Sequence, residues 1–235
     1  MRNGIQLREA RVRYGPLEAL HGVTLAAPAP GLTVLLGRNG SGRTTTLRAL
    51  AGTVPLTTGT VAWDGTDVTR LTAHARAERG LCFVPDGPAV FGHLTVDENL
   101  GLSGSGARTD ITPALEAFPE LRPLLSRRAG TLSGGEQRML ALSRALLATD
   151  ARVILVDEPT QGMSPAVASR TYGLLVGLSA RSCVLTAEQR LPPGLREHAS
   201  RTAVVVHELR RGAVVFSGEA SELSRRGRPG RPTPR

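Results

Sequence analysis

The sequence predicts an α/β protein in which a strand-rich body is interrupted by one helical insertion. Short apolar segments of strand character occur in both the first and the last third of the chain. The stretch from 86 to about 148 has helical character instead, and a glycine-rich loop links a predicted strand to a predicted helix. We expect one domain over 1–223, with the helical insertion at about 86–148, followed by a basic tail at 224–235.

Apolar runs predict the strands that precede the insertion. They cover 5–12, 23–26, 32–36, 60–63, 67–68 and 81–84, with a hairpin turn at Asp64-Gly65 and a strand end at Pro85. A helix is predicted over 44–51, because Gly52 is a typical residue for a helix end. These assignments place the glycine-rich loop between a buried strand and a helix.

The same patterns predict the helices and strands of the insertion and of the last third of the chain. Helices are predicted at 96–102, 113–118, 121–125 and 136–148. Strands return at 153–156, 183–186, 203–209 and 213–217, and the turn Arg210-Arg211-Gly212 joins the last two. The strands on either side of the insertion can therefore belong to one sheet.

The composition is that of a soluble globular protein, with 40% hydrophobic and 21% charged residues. No apolar run approaches the roughly 18 residues that a membrane helix needs, and no signal-peptide core follows Met1. Cys82 and Cys183 are far apart and form no ligand cluster, so we expect both to be buried and inert. These features predict a cytoplasmic protein.

Arginine alone carries the net charge of +9, since all 29 basic residues are Arg and none is Lys. Ile and Asn occur only three times each, so a G/C-rich genome explains the arginines as well as a functional role does. The chain is only 3% aromatic and lacks interleaved aromatic and basic residues for stacking on bases. We therefore expect no nucleic-acid partner, a solvated basic face, and a disordered tail at 224–235, which contains five arginines and three prolines.

Residues 37–44, called the phosphate loop below, predict a nucleotide site. Their spacing matches GxxxxGK[ST], except that Arg43 stands in place of Lys. The glycines allow successive N–H groups to point at phosphate oxygens, and the following helix N-terminus adds favourable potential. Thr44 offers a hydroxyl to Mg²⁺. The predicted ATP-binding residues here are Gly37, Arg38, Asn39, Gly40, Ser41, Gly42, Arg43, Thr44 and Thr45.

Two later motifs add a second phosphate surface and a pair of carboxylates. Residues 133–136, called the signature segment below, are Ser133, Gly134, Gly135 and Glu136. Ser and Glu at this spacing form a capping box, but a capping box does not explain two consecutive glycines at a helix N-terminus. An apolar strand at 153–156 is then followed by two carboxylates. Asp157 is suited to binding a metal ion, and Glu158 is suited to orienting the attacking water.

Taken together, these motifs resemble those of the ATP-binding subunits of ABC transporters, and the resemblance covers nearly the whole chain. Tyr14 resembles the aromatic residue that stacks on adenine in that family. The segments at 83–86, 94–100, 157–165 and 187–189 are most similar to the branched-chain amino acid importers. We therefore expect a subunit that powers import of amino acids or similar small polar solutes.

The resemblance implies the ABC ATPase fold, a P-loop NTPase core with an antiparallel β subdomain and an inserted helical subdomain. It implies ATP and Mg²⁺ as cofactors, and Glu158, Gln189 and Asp86 as catalytic residues. Metal ligands would be Thr44, Asp157 and Asp86, and the signature segment would bind the ATP of a second ATP-binding subunit, identical or related. Integral-membrane permease subunits would hold the chain at the inner face of the cell membrane.

Four departures from the family pattern bear on turnover. Arg43 is bulkier than Lys, and Asp86 is shorter than the usual Gln or Glu. Gln189 replaces the usual switch His and cannot carry a charge. The stretch 102–115, with Gly104-Ser105-Gly106, is shorter than the family's helical segment there.

Two other hypotheses stay open at this point. One is a slow nucleotide-binding partner within a heterodimer, which Arg43 favours and Glu158 disfavours. The other is a soluble ABC protein that acts on nucleic acid or ribosomes. The chain has neither the long coiled-coil insertion nor the tandem cassettes that such proteins carry.

Overall fold

In a computed structural model, two sheets stack against each other and helices cover the second one. The structure describes residues 4–87, 89–103, 109–195 and 203–226. Four strands form an antiparallel sheet in the order β2-β1-β4-β5, and six form a second sheet in the order β10-β9-β3-β8-β7-β6. The strands are β1 (Ile5–Tyr14), β2 (Leu17–Ala27), β3 (Gly31–Leu36), β4 (Thr58–Trp63), β5 (Thr66–Asp67), β6 (Leu81–Val84), β7 (Val153–Asp157), β8 (Cys183–Glu188), β9 (Val204–Arg210) and β10 (Ala213–Glu219).

Seven α-helices and two 3₁₀ segments have defined bounds within the described residues. The α-helices are α1 (Arg43–Ala51), α2 (Ala73–Glu78), α3 (Val96–Gly101), α4 (Thr112–Ala117), α5 (Gly134–Leu147), α6 (Pro165–Ser179) and α7 (Ala220–Arg226). The 3₁₀ segments are Pro119–Leu124 and Ala129–Thr131. The helices from α3 to α5 form the predicted insertion between β6 and β7.

The second sheet is parallel from β9 to β6, and only its edge strand β10 runs antiparallel. In β3, Val34 packs into the core on the α5–α6 side, whereas Leu35 packs into the core beneath the antiparallel sheet. Val156 and Leu155 of β7 alternate in the same way. Both faces of these strands are therefore buried, as expected for a parallel sheet, and their sequences read as continuous apolar runs.

The order of the central strands brings three predicted site segments to one edge. β8 lies between β3 and β7, and its end is level with both neighbours, since Leu36 pairs with Glu188 and Asp157 pairs with Ala187. The phosphate loop follows β3, Glu158 follows β7, and Gln189 follows β8. Ligands bind at this carboxyl edge in open α/β sheets, so the topology assembles the site.

The sequence-based elements agree with the structure except in a few places. α2, α6 and α7 were not predicted, and β2 begins at Leu17 instead of residue 23. The predicted helix at 121–125 is a 3₁₀ segment, because Pro123 lies inside it and cannot donate an α-helical hydrogen bond. Residues 224–226 of the predicted tail belong to α7, and 227–235 lie outside the described residues, as do Gly104-Ser105-Gly106.

Candidate functional site

The phosphate loop is held from two sides by backbone hydrogen bonds. The N–H of Gly37 donates to the carbonyl of Glu188 at 3.1 Å, and the N–H of Gly212 donates to the carbonyl of Ser41 at 2.9 Å. A Cβ on Gly37 would lie 2.6 Å from the carbonyl oxygen of Leu209, so no larger residue fits there. The loop therefore has a defined shape before any ligand binds.

Helix α1 begins at the end of this loop with its N-terminus unprotected by side chains. Its cap residue Gly42 makes no side-chain cap hydrogen bond, and no acidic residue occupies the first turn. By contrast, Thr95 caps α3, and Ser133 caps α5. The first N–H groups of α1 and its dipole thus favour an anion from outside the chain.

A cavity of about 660 Å³ surrounds this helix end. That volume lies within the range of small-molecule and cofactor sites. Tyr14, 42% exposed at the end of β1, lines this cavity, as do Asp86 and Glu158. The lining residues are Tyr14, Leu17, Glu18, Ala19, His21, Arg38, Asn39, Gly40, Ser41, Gly42, Arg43, Thr44, Thr45, Asp86, Glu158, Gln161, Arg211 and Gly212.

Most of the predicted ATP-binding residues therefore line one cavity. Gly37 and Gln189 line an adjoining cavity of about 730 Å³ on the other side of the phosphate loop. Asp157 lies buried at the end of β7, with 1% of its surface exposed. The signature segment lines neither of these two cavities; of its residues, Gly134 lines a separate one of about 250 Å³ together with Gln161.

Asp157 is a buried carboxylate without a hydrogen-bond partner for either oxygen among the described residues. Burial raises its pKa, and the carboxylates of Asp86 and Glu158 raise it further, whereas the Thr44 hydroxyl and the Arg43 guanidinium lower it. An unpaired buried carboxylate costs several kcal/mol, so the site favours a cation that contacts Asp157. Ser41 Oγ and Arg43 Nη1 are also buried without partners.

Glu158 is paired with the basic residue of the phosphate loop. Arg43 Nη2 donates to Glu158 Oε1 at 2.9 Å, and the Arg43 side chain is only 6% exposed. Gln189 Nε2 donates to the same oxygen at 3.4 Å. Arg43 and Gln189, which are distant in sequence from Glu158, therefore meet at one oxygen of its carboxylate. The backbone of Glu158 has a positive φ of 46°, which is uncommon for a residue other than glycine.

Asp86 lies in the cavity wall, but its carboxylate faces another partner. Arg48 Nη2 lies 3.5 Å from Asp86 Oδ1, and both side chains are more than 40% exposed. Arg138 of α5 donates to the carbonyl oxygens of Pro85 and Asp86, the latter at 2.9 Å. The backbone at 85–86 is thus anchored to the helix that follows the signature segment.

The signature segment begins α5 with the predicted capping box. Ser133 Oγ accepts from the N–H of Glu136 at 3.3 Å, and Glu136 Oε2 accepts from the N–H of Ser133 at 2.7 Å. Ser133 and Gly134 are exposed. A Cβ on Gly135 would lie 2.5 Å from the carbonyl oxygen of Gly162, so this glycine allows the loop after Glu158 to pack against the segment.

Comparison with known proteins identifies the family. A model of the family described as ABC transporter matches residues 20–161, more than half of the chain. The chain belongs to the ABC transporter family. Its membership confirms both the resemblance drawn from the motifs and the predicted ABC ATPase fold.

Individual relatives agree with this ABC assignment. The probable branched-chain amino acid transport ATP-binding protein LivF of Archaeoglobus fulgidus is 35% identical over 217 residues, which cover 89% of each chain. The high-affinity branched-chain amino acid transport ATP-binding protein BraG of Pseudomonas aeruginosa is 34% identical over 167 residues, 69% of this chain and 71% of BraG. A dimeric ATP-binding cassette bound to ADP and Pi shares the fold, with a TM-score of 0.79 and 21% identity over 92% of this chain and 98% of that one.

As an ABC ATP-binding subunit, the chain brings its own phosphate loop and carboxylates together, whereas its signature segment does not line that cavity. Gly134 lines the smaller cavity, which shares Asp86 and Gln161 with the phosphate-loop cavity. No helix within the described ranges is long and apolar enough to cross a membrane. Three residues at or near the site had no predicted role, namely Arg138, Tyr172 and Glu188. Glu188 carried a usable signal, because a carboxylate that ends a buried strand beside Gln189 is rare without a function.

Proposed function

We propose that this ABC subunit binds ATP with Mg²⁺ at its phosphate loop and hydrolyses it with Glu158. The observation that carries the proposal is that Arg43 and Gln189 both donate to Glu158 beside a nucleotide-sized cavity that Arg43 and Glu158 line, while Asp157 has no hydrogen-bond partner among the described residues. Such a concentration of buried, unsatisfied polar groups points to a ligand that is both anionic and metal-bound.

The phosphate loop and α1 would bind the phosphates. Their N–H groups and the uncapped helix N-terminus favour negative charge, and the guanidinium of Arg43 adds a cation with one unpartnered nitrogen. Tyr14 would stack on the adenine, since its ring is exposed at the wall of the same cavity. These contacts bind ground-state ATP without requiring movement of the sheet.

The residues present fit Mg²⁺. Thr44 and Asp157 offer a hydroxyl and an unpartnered carboxylate, and magnesium sites of nucleotide enzymes use one or two carboxylates plus phosphate oxygens and water. Among the described residues, no group of three or more acidic, His or Cys side chains is arranged so that it could hold a metal ion by itself. When bound, the metal would neutralise charge on the phosphates during transfer. Asp86 would join it only after leaving Arg48.

Glu158 would act as the base. Its carboxylate takes a proton from the attacking water as the water oxygen bonds to the γ-phosphorus and the bond to ADP breaks with its electron pair. In the structure Arg43 occupies the Oε1 atom of this carboxylate. The phosphates compete for Arg43, so nucleotide binding would release Glu158 to orient water, with Gln189 beside it.

A second subunit would complete each site. Ser133 and Gly134 are exposed on α5 and do not line their own chain's phosphate-loop cavity, so they are free to bind phosphate on a neighbouring chain. The solved cassette with ADP and Pi is a dimer of this fold. We infer pairing of this chain with a second ATP-binding subunit, with closure driven by ATP.

The transport context follows from the relatives. LivF and BraG are named for branched-chain amino acid transport, and the match to LivF covers 89% of both chains. We infer that this chain powers import of amino acids or similar small polar solutes. It would bind integral-membrane permease subunits and so lie at the inner face of the cell membrane.

Two experiments test the two levels of this proposal. Calorimetry with a non-hydrolysable ATP analogue should show magnesium-dependent binding that Asp157→Asn weakens, and a folded, monodisperse protein without heat of binding would refute the nucleotide role.

Uptake of labelled leucine by cells that lack this subunit should return with the wild-type chain but not with Glu158→Gln. Normal uptake in the deletion strain would rule out the amino-acid role and leave nucleotide binding standing.

A further inference from the structure

Three hydroxyl and carboxyl groups near the site form a continuous hydrogen-bonded chain. Tyr172 of α6 donates its hydroxyl to Glu188 Oε1 at 2.7 Å, and Thr160 Oγ1 lies 3.0 Å from the same Tyr172 hydroxyl. Tyr172 is 8% exposed and Glu188 is 9% exposed. A buried polar network in which every group has a hydrogen-bond partner is rigid, so these three side chains hold one another in a defined geometry.

The direction of the chain follows from its chemistry. The Tyr172 hydroxyl has one hydrogen, which it donates to the carboxyl oxygen of Glu188. Thr160 is therefore the donor to Tyr172, and the chain runs from Thr160 through Tyr172 to Glu188. Burial raises the pKa of Glu188 to about 7, and the hydrogen bond from Tyr172 lowers it in part.

Glu188 joins one end of this chain to the phosphate loop. Its carbonyl accepts from the N–H of Gly37 at 3.1 Å, and the preceding carbonyl of Ala187 accepts from the N–H of Glu158 at 3.1 Å. Gln189, whose amide reaches Glu158, follows directly. Residues 187–189, at the end of β8, therefore contact both the phosphate loop and the predicted base.

Thr160 joins the other end to the loop that leaves Glu158. Its carbonyl accepts from the N–H of Met163 at 3.1 Å, which closes the turn over 160–163. Gly162 of this turn packs against Gly135 of the signature segment. Glu158 begins the loop with a positive φ, a conformation that costs about 1 kcal/mol or more for a non-glycine residue and persists only when its surroundings hold it.

We propose that Tyr172 and Glu188 are positioning residues, which hold the 158–162 loop so that Glu158 faces the phosphate loop. The inference rests on the proposed role of Glu158 and deepens it. Tyr172 of α6 links the loop after β7 to the end of β8 through side-chain hydrogen bonds, and Thr171 Oγ1 of the same helix lies 3.5 Å from Met163 Sδ in that loop. Neither residue touches the reacting atoms.

The test compares hydroxyl deletions by steady-state ATPase kinetics of the full-length chain with Mg²⁺ and ATP. Tyr172→Phe should lower kcat about tenfold or more and change KM less than about twofold, because a small misplacement of a catalytic group affects the chemical step more than ground-state binding. Ser179→Ala is the matched control. It removes a buried hydroxyl from the same helix, where Ser179 Oγ donates to the Val176 carbonyl at 2.8 Å, and it should leave kcat unchanged.

Variants of Thr160 distinguish a positioning role from a simple loss of stability. Thr160→Val should reproduce the loss of kcat, Thr160→Ser should restore it, and the double variant with Tyr172→Phe should be no worse than either alone. Unchanged kcat in both Tyr172→Phe and Thr160→Val overturns the inference, as does an equal loss in Ser179→Ala. If wild type itself binds or hydrolyses no ATP, the proposed function has failed instead. If Tyr172→Phe does not fold, the Thr160 pair decides.

Discussion

Arg43 Nη2 lies 2.9 Å from Glu158 Oε1, so the cation of the phosphate loop and the predicted catalytic base neutralise each other in this structure. The two residues are 115 positions apart, and they meet because β3 and β7, which precede them, flank β8 in the sheet. A guanidinium reaches this carboxylate with one nitrogen while its second terminal nitrogen has no partner among the described residues. Arg43, whose proposed role is to bind phosphate, therefore also occupies the proposed catalytic base.

The ion pair between Arg43 and Glu158 affects the turnover expected when Arg43 is replaced by Lys. We expect Arg43→Lys to raise turnover by about tenfold or less, which corresponds to at most about 1.4 kcal/mol of the barrier. An ammonium is compact, sits as a point charge between the phosphates, and binds Glu158 without the planar fork. Arg43→Ala should be slower than either, because no local cation then faces the phosphates.

Steady-state ATPase rates of the three proteins, assembled with their permease, provide the measurement. ATP affinity should change less than turnover, since either cation neutralises ground-state phosphate charge. Arg79→Lys is a suitable control, because Arg79 is exposed at the end of α2 and does not line the phosphate-loop cavity. A Lys variant slower than wild type would show that the site is adapted to arginine.

Glu158→Gln should trap an ATP-bound dimer. Loss of the carboxylate stops hydrolysis but leaves the phosphate loop intact, so the closed state accumulates, whereas wild type should remain mainly monomeric. Sedimentation with and without ATP measures this. Gly134→Glu in the same background should abolish pairing, since a side chain there meets open space within its own chain but places a charge where phosphate of the partner's ATP would lie. A monomer in every condition, even with a related subunit added, would contradict the prediction.

The contribution of His207 to stability should fall in mild acid, whereas that of Glu188, whose pKa is raised to about 7, should rise over the same range. Its ring is buried, with Nε2 donating to Ala26 O at 2.9 Å and Nδ1 accepting from the Ser217 hydroxyl at 2.8 Å. Burial lowers the pKa of His207, and the hydrogen bond to Ala26 raises it in part. Because the folded pKa lies below the unfolded one, this stabilisation is complete above about pH 6.5 and is lost as the pH falls through the folded pKa.

Urea unfolding between pH 7.5 and 5 measures this effect. The unfolding free energy of wild type minus that of His207→Gln should fall as the pH is lowered, because glutamine supplies a donor and an acceptor but does not titrate in this range. His74→Gln is the control, since His74 has an 83% exposed side chain. Equal slopes for wild type and His207→Gln would rule out His207 as the source.

Arg76 should be important for stability without touching the site. Its buried guanidinium donates to the carbonyls of Ala49 and Leu50 at the end of α1, at 2.8 and 2.6 Å. It also donates to Val68 and Thr69 at 2.9 and 3.1 Å. Arg76→Met should lower the free energy of unfolding by about 3 kcal/mol or more, because the buried carbonyls lose their donor.

Thermal unfolding compared with Arg79→Ala provides the measurement. Arg79 is exposed on the same helix end, so its replacement should change stability by no more than about 0.5 kcal/mol. Nucleotide affinity should change little in Arg76→Met at a temperature where the variant stays folded. A Tm equal to that of wild type would show that solvent replaces these hydrogen bonds at no cost.

Several features were readable from the sequence because each depends on a short, contiguous pattern. The phosphate loop combines a strand, glycines at set spacing and a helix start, and the structure contains all three around Gly37 and Thr44. The capping box of Ser133 and Glu136 was predicted for the same reason. Family membership followed from the order of these local motifs.

Helix α6 shows the limit of this approach. It contains Gly173 and Gly177 and several β-branched residues, which lower intrinsic helix propensity. The helix is stabilised instead by packing of Tyr172, Leu175 and Leu178 against the sheet, which local sequence does not reveal. The Tyr172–Glu188 hydrogen bond depends on that packing and was therefore invisible too.

The sequence by itself determined which residues have the chemistry for a nucleotide site, since glycine spacing, a hydroxyl and two carboxylates are properties of short segments. Only the tertiary structure decided which of them meet. The order β3-β8-β7-β6 places Arg43 and Gln189 on Glu158, and Asp86 beside Arg48. The same topology leaves the signature segment outside its own chain's phosphate-loop cavity. Strand order is set by the burial of both sheet faces over the whole chain, a non-local energy that no single motif carries.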